Sequence, residues 1–399
     1  MTVPVRHRLT RRGFLRSATA SGAAVFGAGN ASAQQPAPTA SAPAEPGAKP
    51  KVEDGFVWHD VKQWGVEGRG WAEADMGRFY ARLPAKAEAI VRPPVWSLSQ
   101  HSAGMLTRFQ TDATAIQCRY TLLSPTVGMP HMPATGVSGI DLYALDGEAH
   151  WRWVSVFKPG AGTGGDPKSQ SGKLVEGLDP GDRAFTAYLP LYNGLEKLEF
   201  GVPEGAKLTP LAPRSEKPIV FYGTSITHGA CASRPGMCHP AILGRRLDRP
   251  VLNLGFSGNG KMEPEVGALL CELDPAVYAI DCLPNMVGDE VRARAEPLVR
   301  QLREARPDTP IVLVEDRTYA NAWIKKSLRE RHEQSRSALI RAFDNLVAAG
   351  VKNLHYLEGA TLLSDDSEAT TDGSHPNDLG FVQQADAFEP VLRKALGLG

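Results

Sequence analysis

What this chain lacks narrows its chemistry first. It has no excess of charge, since 44 Lys and Arg balance 44 Asp and Glu, so no global field draws in nucleic acid or an anionic membrane, and neither is an expected partner. Cysteine is scarce: Cys118, Cys231, Cys238, Cys271 and Cys282 are an odd number with no Cys-x-x-Cys pair. That argues against a structural zinc site and leaves at least one thiol outside any intramolecular disulfide. Cys231 and Cys238 could bridge in an oxidising compartment or stand as two thiols. No His-x-x-x-His pair, EF-hand loop or Gly-x-x-x-x-Gly-Lys segment is present, and Gly255, Gly258 and Gly260 reverse the order of a dinucleotide-binding Gly-x-Gly-x-x-Gly. Chemistry without a metal or cofactor is expected. Past the N-terminus no apolar run approaches the ~20 residues that span a bilayer, so stable membrane insertion is not expected.

The remainder is globular in composition, 399 residues of which 42% are apolar and 22% charged, enough for two ordinary domains. Residues 1–33 stand apart. Thr10-Arg11-Arg12-Gly13-Phe14-Leu15-Arg16 precedes a weakly apolar run rich in Ala and Gly and then Ala31-Ser32-Ala33, the order of a twin-arginine export signal with a small-residue cleavage site. A mature protein exported to the periplasm or secreted is expected. Residues 34–51 hold Pro36, Pro38, Pro43, Pro46 and Pro50 among Ala, Ser and Thr and read as a disordered linker.

From 52 to 208 short strand-like segments at 105–109, 115–121, 140–143, 151–157 and 185–189 are broken by Gly and Pro, which predicts an antiparallel β-sandwich. Gly160 to Gly165 and Gly172 read as loop tips. From 215 to 399 the period changes. Apolar strands at 219–222, 251–254, 277–280, 311–314 and 354–357 alternate with helical stretches at 291–305, 325–349 and 378–396. Such alternation predicts an α/β domain, a parallel sheet with helices on both faces.

Ligand crevices in such sheets lie at the carboxyl ends of the strands, and Ser225, Gly258 and Asn285 each follow an expected strand end. Ser225 lies in a small-residue turn after Ile219-Val220-Phe221-Tyr222-Gly223, and Asp372 and His375 arrive three residues apart far downstream. A serine hydroxyl is a weak nucleophile that needs a positioned base and a third group to orient that base. Ser225, His375 and Asp372 could fill those roles, because triads are defined by geometry and not by chain order.

The same residues carry a family resemblance. Gly223-Thr224-Ser225-Ile226-Thr227 resembles the first block of the SGNH/GDSL esterases, Asn253-Leu254-Gly255-Phe256-Ser257-Gly258-Asn259 the second, Asn285 the third, and Asp372-Gly373-Ser374-His375-Pro376 the fifth. Gly139-Ile140-Asp141-Leu142-Tyr143 is similar to the Gly-x-Asp-Leu-Tyr motif of an N-terminal β domain found in one subfamily. The resemblance implies a flavodoxin-like hydrolase domain behind a jelly-roll-like β-sandwich. It implies Ser225 as nucleophile, His375 as base, Asp372 as its orienter, and the Ser225 N–H, Gly258 N–H and Asn285 amide as oxyanion donors. The implied activity is hydrolysis of short acyl esters, acetyl groups on small-molecule or polysaccharide carbohydrate partners. Leu283 and Met286 depart from the usual third block, so Asn285 has a second reading as the cap of the following turn, and Thr224 stands where many members carry Asp. A lipid or phospholipid acylhydrolase and a non-catalytic carbohydrate-binding protein are the other readings.

His228, three residues after Ser225, is expected to point away from it, and His101 and His239 have no carboxylate at comparable spacing. His131 could overhang the site from the β domain. Glu315-Asp316-Arg317, after the fourth strand, reads either as a substrate contact or as a solvated charged turn. Asp141 and Tyr143 read as a turn or a domain interface, and Cys282 as an inert thiol among apolar neighbours. The lack of metal-ligand spacing predicts that ester hydrolysis survives exhaustive dialysis against EDTA; activity lost to the chelator and restored by zinc would refute it.

Overall fold

The computed structural model describes residues 51–398, so the segments expected to be an export signal and, nearly all of it, a linker lie outside the described residues. Those described belong to one compact unit. The first strands are β1 (Lys51–Glu53), β2 (Phe56–Asp60), β3 (Leu106–Thr111), β4 (Ala115–Leu122), β5 (Asp141–Leu145), β6 (Trp151–Val156), β7 (Ser169–Glu176), β8 (Arg183–Tyr188), β9 (Leu195–Pro203) and β10 (Leu208–Pro210), with helices α1 (Pro93–Ser99) and α2 (Ala134–Val137) among them. They pair into two antiparallel sheets, β1-β2-β9-β4-β7 and β10-β3-β8-β5-β6. In β4, Ile116, Cys118, Tyr120 and Leu122 are buried and their neighbours only partly so, the two-residue period of a strand with one face in a core. Between the sheets Phe109 lies 5.6 Å from Phe185 and 4.9 Å from Phe200, ring centre to ring centre.

All five strands expected in this half are present. Gly172 is a correction: it is no loop tip but lies inside β7 opposite Cys118, beside the buried ring of Phe157. β2, β7 and β9 escape a sequence reading because Gly, charge and polar residues interrupt their apolar pattern.

The second half follows β11 (Ile219–Gly223), α3 (Ser225–His228), α4 (His239–Arg246), β12 (Val251–Gly255), α5 (Pro264–Cys271), β13 (Val277–Asp281), α6 (Gly288–Ala305), β14 (Ile311–Val314), α7 (Lys326–Ala348), β15 (Leu354–Leu357) and α8 (Asp378–Ala395). The strands are parallel in the order β12-β11-β13-β14-β15. Both faces are covered, so β11, β12 and β13 are buried throughout. Val220, Tyr222 and Ile280 face α5, α6 and α7, while Ile219, Phe221 and Ala279 face α4 and α8. Both α4 and α5, not anticipated from sequence, start with proline in the first turn, where its missing N–H costs nothing.

Sandwich and parallel sheet share a core, since Leu106, Tyr143 and Tyr188 pack with Phe221, Leu243 and Phe381. Arg82 closes the junction. Its guanidinium is fully buried and donates to the carbonyls of Leu98, His101, Asn253 and Gly255 at 2.6, 3.0, 2.9 and 2.7 Å. Arg82→Leu should strand four carbonyl acceptors, those of Asn253 and Gly255 buried, and lower stability by about 3 kcal/mol or more; an unchanged urea midpoint would refute that.

Candidate active site

β11 ends at Gly223 and the chain turns at once into α3, with Thr224 as its N-cap: Thr224 Oγ1 accepts from the Ile226 N–H at 3.2 Å. A hydroxyl can therefore do at this position the capping that a carboxylate could do. Ser225 is the first helical residue, so its N–H is among those without an intrahelical acceptor. Two neighbouring strands brace the helix: Asn253 Nδ2 donates to the Thr227 carbonyl at 2.6 Å, and Thr227 Oγ1 donates to Asp281 Oδ2 at 2.9 Å. From the sandwich side, the Tyr192 hydroxyl donates to the Ser225 carbonyl at 3.2 Å.

Asp372 and His375 occupy a tight turn before α8, closed by the Thr371 N–H on the His375 carbonyl at 2.9 Å and allowed by Gly373 at φ 88°. Asp372 Oδ2 lies 2.8 Å from His375 Nδ1, and His375 Nε2 lies 2.9 Å from Ser225 Oγ. The structure thus brings together the three groups named from sequence. Asp372 Oδ1 also accepts from the Ser374 and His375 N–H groups at 2.9 and 2.8 Å. Burial opposes ionisation of Asp372, but the His375 N–H, its ring and the Ser374 N–H outweigh it and hold the carboxyl down at about 2.

Gly258, at φ 69°, lies exposed in a turn after β12 in which the Asn259 and Gly260 N–H groups donate to the Phe256 carbonyl at 2.8 and 2.9 Å. This turn is pressed against the serine turn: a Cβ on Gly260 would sit 1.9 Å from the Gly223 carbonyl oxygen. Asn285 faces the same turn. With its amide oxygen inward, it accepts from the Asn259 and Gly260 N–H groups at 3.0 and 3.1 Å, leaving its NH2 free to donate elsewhere. Asn285 is not the cap of α6, whose N-cap is Val287.

His228 is buried and directed to the sandwich: its Nε2 is 2.7 Å from the Leu191 carbonyl, and its ring stacks on Tyr192. His239 is a core ring packed on Phe388, and burial holds both His101 and His239 at about 3. His131, exposed on the sandwich side, reaches the rim, its ring centre 6.0 Å from that of His375. Asp141 and Tyr143 form the domain junction. Asp141 accepts from Gly236 N–H, Arg234 and Trp153 at 2.8, 3.0 and 3.0 Å, and the Tyr143 hydroxyl accepts from Arg234.

Both readings of Glu315-Asp316-Arg317 are overturned. These residues are 5%, 0% and 1% exposed, so they neither contact solvent nor lie open to substrate; they end β14 as a buried ion cluster, because oppositely charged partners converge on them from α7. All five cysteines are free thiols. Cys231, with one atom each of Asp372 and His375, forms a cluster within 4.8 Å that could hold a metal ion. Burial pushes the Cys231 thiol up to about 11, and the other two groups are bonded to each other.

Residues 216–393 match the GDSL-like lipase/acylhydrolase family, and residues 56–208 match the N-terminal domain of SGNH-hydrolase-type esterases. Among solved structures, a protein described as a GDSL-like lipase from Bacteroides ovatus is 30% identical with a TM-score of 0.80, over 86% of this chain and 98% of that one. A salicylyl-acyltransferase from a tetracycline biosynthetic pathway shares the fold at 21% identity and TM-score 0.67, over 87% and 99%. A family two carbohydrate esterase from Clostridium thermocellum, solved with a cello-oligosaccharide, shares it at 15% and 0.51, over 74% and 93%. No curated protein matches this chain.

Asp281, beneath the serine turn, generates a pH prediction. Burial pushes its carboxyl up from 3.8 to about 7, against the Thr227 hydroxyl and Arg317, which favour the charged form. A folded value above the unfolded one means that the native state holds the extra proton, so this contribution to stability is present below the unfolded value and lost as pH rises through about 7. Asp281→Asn keeps an acceptor for Thr227 and removes the titration. The wild type should lose stability relative to this variant between about pH 4 and pH 8; parallel urea midpoints across that range would refute the assignment.

Proposed function

We propose, for a chain that belongs to the GDSL-like lipase/acylhydrolase family and is a serine esterase, that it removes short acyl groups from carbohydrate esters through Ser225, His375 and Asp372. The observation that carries the reading is the continuous chain of 2.8 and 2.9 Å contacts from Asp372 through both ring nitrogens of His375 to Ser225 Oγ. With Nδ1–H donated to Asp372, Nε2 is left to accept the serine proton as Oγ attacks the ester carbonyl. The ring then passes that proton to the departing alcohol, giving an acyl-serine. Water, deprotonated by the same nitrogen, attacks the acyl-serine, and the acid leaves as the proton returns to Ser225. Negative charge that develops on the carbonyl oxygen would be met by the Ser225 and Gly258 N–H groups and the Asn285 NH2.

This reading takes the parallel sheet as flavodoxin-like, since its order matches the doubly wound 2-1-3-4-5 arrangement, and the sandwich as jelly-roll-like. It takes residues 1–33 as a twin-arginine signal, so that the enzyme acts in the periplasm or outside the cell. A polymer-borne or sugar-borne ester suits the setting of the triad, because the Asp372 side chain is 40% exposed. Beside it lies the segment that pairs Ala320 N–H with the Gly373 carbonyl at 2.9 Å, and this segment displays Trp323 at 73% exposure. An indole face is a suitable platform for a sugar ring. The carbohydrate esterase of the same fold points to the same substrate class.

Ser225→Ala should leave the fold intact and cut turnover of p-nitrophenyl acetate by ~10⁴-fold or more, and an organophosphonate should label wild-type Ser225 stoichiometrically. Activity should fall along a p-nitrophenyl series of increasing acyl length and appear on acetylated glycans. Near-wild-type turnover in a folded Ser225→Ala variant would refute the mechanism; preference for long acyl chains would favour the lipid acylhydrolase instead.

A further inference from the structure

Asp316 sits at the centre of a buried set of contacts that ends on both sides of the proposed machinery. Its carboxylate pairs with two guanidinium groups, Arg317 through Oδ1 and Arg331 through Oδ2, the latter at 2.9 Å. Each arginine spends its remaining donors on backbone next to a residue of the site. Arg317 Nε and Nη2 donate to the Ser374 carbonyl at 2.9 and 2.8 Å, and Nη2 also reaches Ser374 Oγ at 2.5 Å; Ser374 directly precedes His375. Arg331 Nη2 donates to the carbonyls of Pro284 and Met286 at 2.8 and 3.2 Å, the two residues that flank Asn285. Arg336, from the same helix α7, anchors the Asp316 carbonyl at 3.1 and 2.6 Å.

Why this geometry should matter for turnover follows from what each loop lacks. The His375 turn is held from within by Asp372, the Thr371 N–H on the His375 carbonyl and the Gly373 N–H on Thr370 Oγ1, and the Asn285 turn is a single 3-10 turn, Leu283–Asn285. Both turns lie outside the strands and long helices, the first ahead of α8 and the second between β13 and α6, so the position of His375 and Asn285 within them is not fixed by a strand ladder or helix. A bidentate guanidinium fixes direction as well as distance, which a lysine would not. Buried ion clusters of this kind are expensive to desolvate and are poor sources of stability compared with apolar packing.

We propose that Asp316, Arg317 and Arg331 are positioning residues that set the base and the Asn285 oxyanion donor in register with Ser225, Asp316 coupling the two loops through one carboxylate. The proposal rests on the Ser225, His375 and Asn285 roles given above. It assigns to these three residues a function that neither a substrate contact nor a surface turn would have.

The test is a double-mutant cycle on p-nitrophenyl acetate hydrolysis, with melting temperature and phosphonate labelling followed on every variant. Arg331, partly exposed, tolerates truncation better than Arg317. Arg331→Ala should lower kcat by ~10-fold with KM little changed, and Asn285→Ala by ~10²–10³; in the Asn285→Ala background the Arg331 change should cost less than ~3-fold, because its target is gone. Arg331→Lys should not rescue turnover. Arg317→Lys keeps the charge beside Asp316 but loses the fork on Ser374; kcat should fall by ~10-fold and the acid limb of kcat/KM should move to lower pH, whereas the Arg331 variants leave that limb in place. Additive losses in the cycle, or lowered melting temperatures with kcat unchanged in both arginine variants, would overturn the positioning role while normal labelling of Ser225 leaves the esterase mechanism standing. Failure of wild-type Ser225 to label would overturn both.

Discussion

Arg82 cannot be hydrated where it lies, so its N–H groups must find acceptors in the protein, and the acceptors they find are carbonyls from two different modules. Leu98 and His101 belong to the segment that enters the sandwich; Asn253 and Gly255 belong to the last three residues of β12, directly before the loop that carries Gly258. A buried guanidinium left short of partners costs far more than an apolar side chain in the same place. The junction is therefore held in one arrangement, and the other cross-module contacts become possible. Tyr192 reaches the Ser225 carbonyl, Arg92 reaches Asn259 Oδ1 at 2.8 Å, and His131 comes within ring contact of His375.

The rim of the parallel sheet shows a division of labour that physical chemistry makes intelligible. The reacting groups sit on short turns and at the first residue of a one-turn helix, where a hydroxyl, an imidazole or an N–H can project beyond the end of the sheet. Short turns are poorly specified by themselves. Stiffness is supplied from below by groups that never meet substrate: Asn253 and Asp281 on α3, Arg317 on the Asp372–His375 turn, Arg331 on the Asn285 turn. Several of them carry charge in a dry environment, where a charge is tolerated only when paired and fully bonded.

Legibility in the sequence followed the range of the interaction involved. β14 and β15 could be read to the residue, since Ile311-Val312-Leu313-Val314 is an uninterrupted apolar run and Leu354-His355-Tyr356-Leu357 stands between polar turns. α4 and α5 could not, being short and starting in prolines that also serve as loop signals. Ser225, Asp372 and His375 were legible because a nucleophile, an acid and a base have few substitutes and stand at strand or helix ends. Glu315-Asp316-Arg317 was misread for the opposite reason: three charges after a strand usually meet water, and nothing local announces that α7 will cover them with Arg331 and Arg336.

Local sequence accounts for one set of choices: which segments alternate with period two and which run apolar, where the chain turns, and which side chains can exchange a proton with an ester. Those choices depend on neighbours a few residues away. The tertiary structure alone decided that Asp372, His375 and Ser225 lie in line at 2.8 and 2.9 Å, that Asn285 turns to the Gly258 loop and does not cap α6, and that Asp316 is an internal counter-ion. Each of these rests on desolvation and on contacts between segments far apart in the chain, and burial changes the energy of a charge or a hydrogen bond by more than any local preference can.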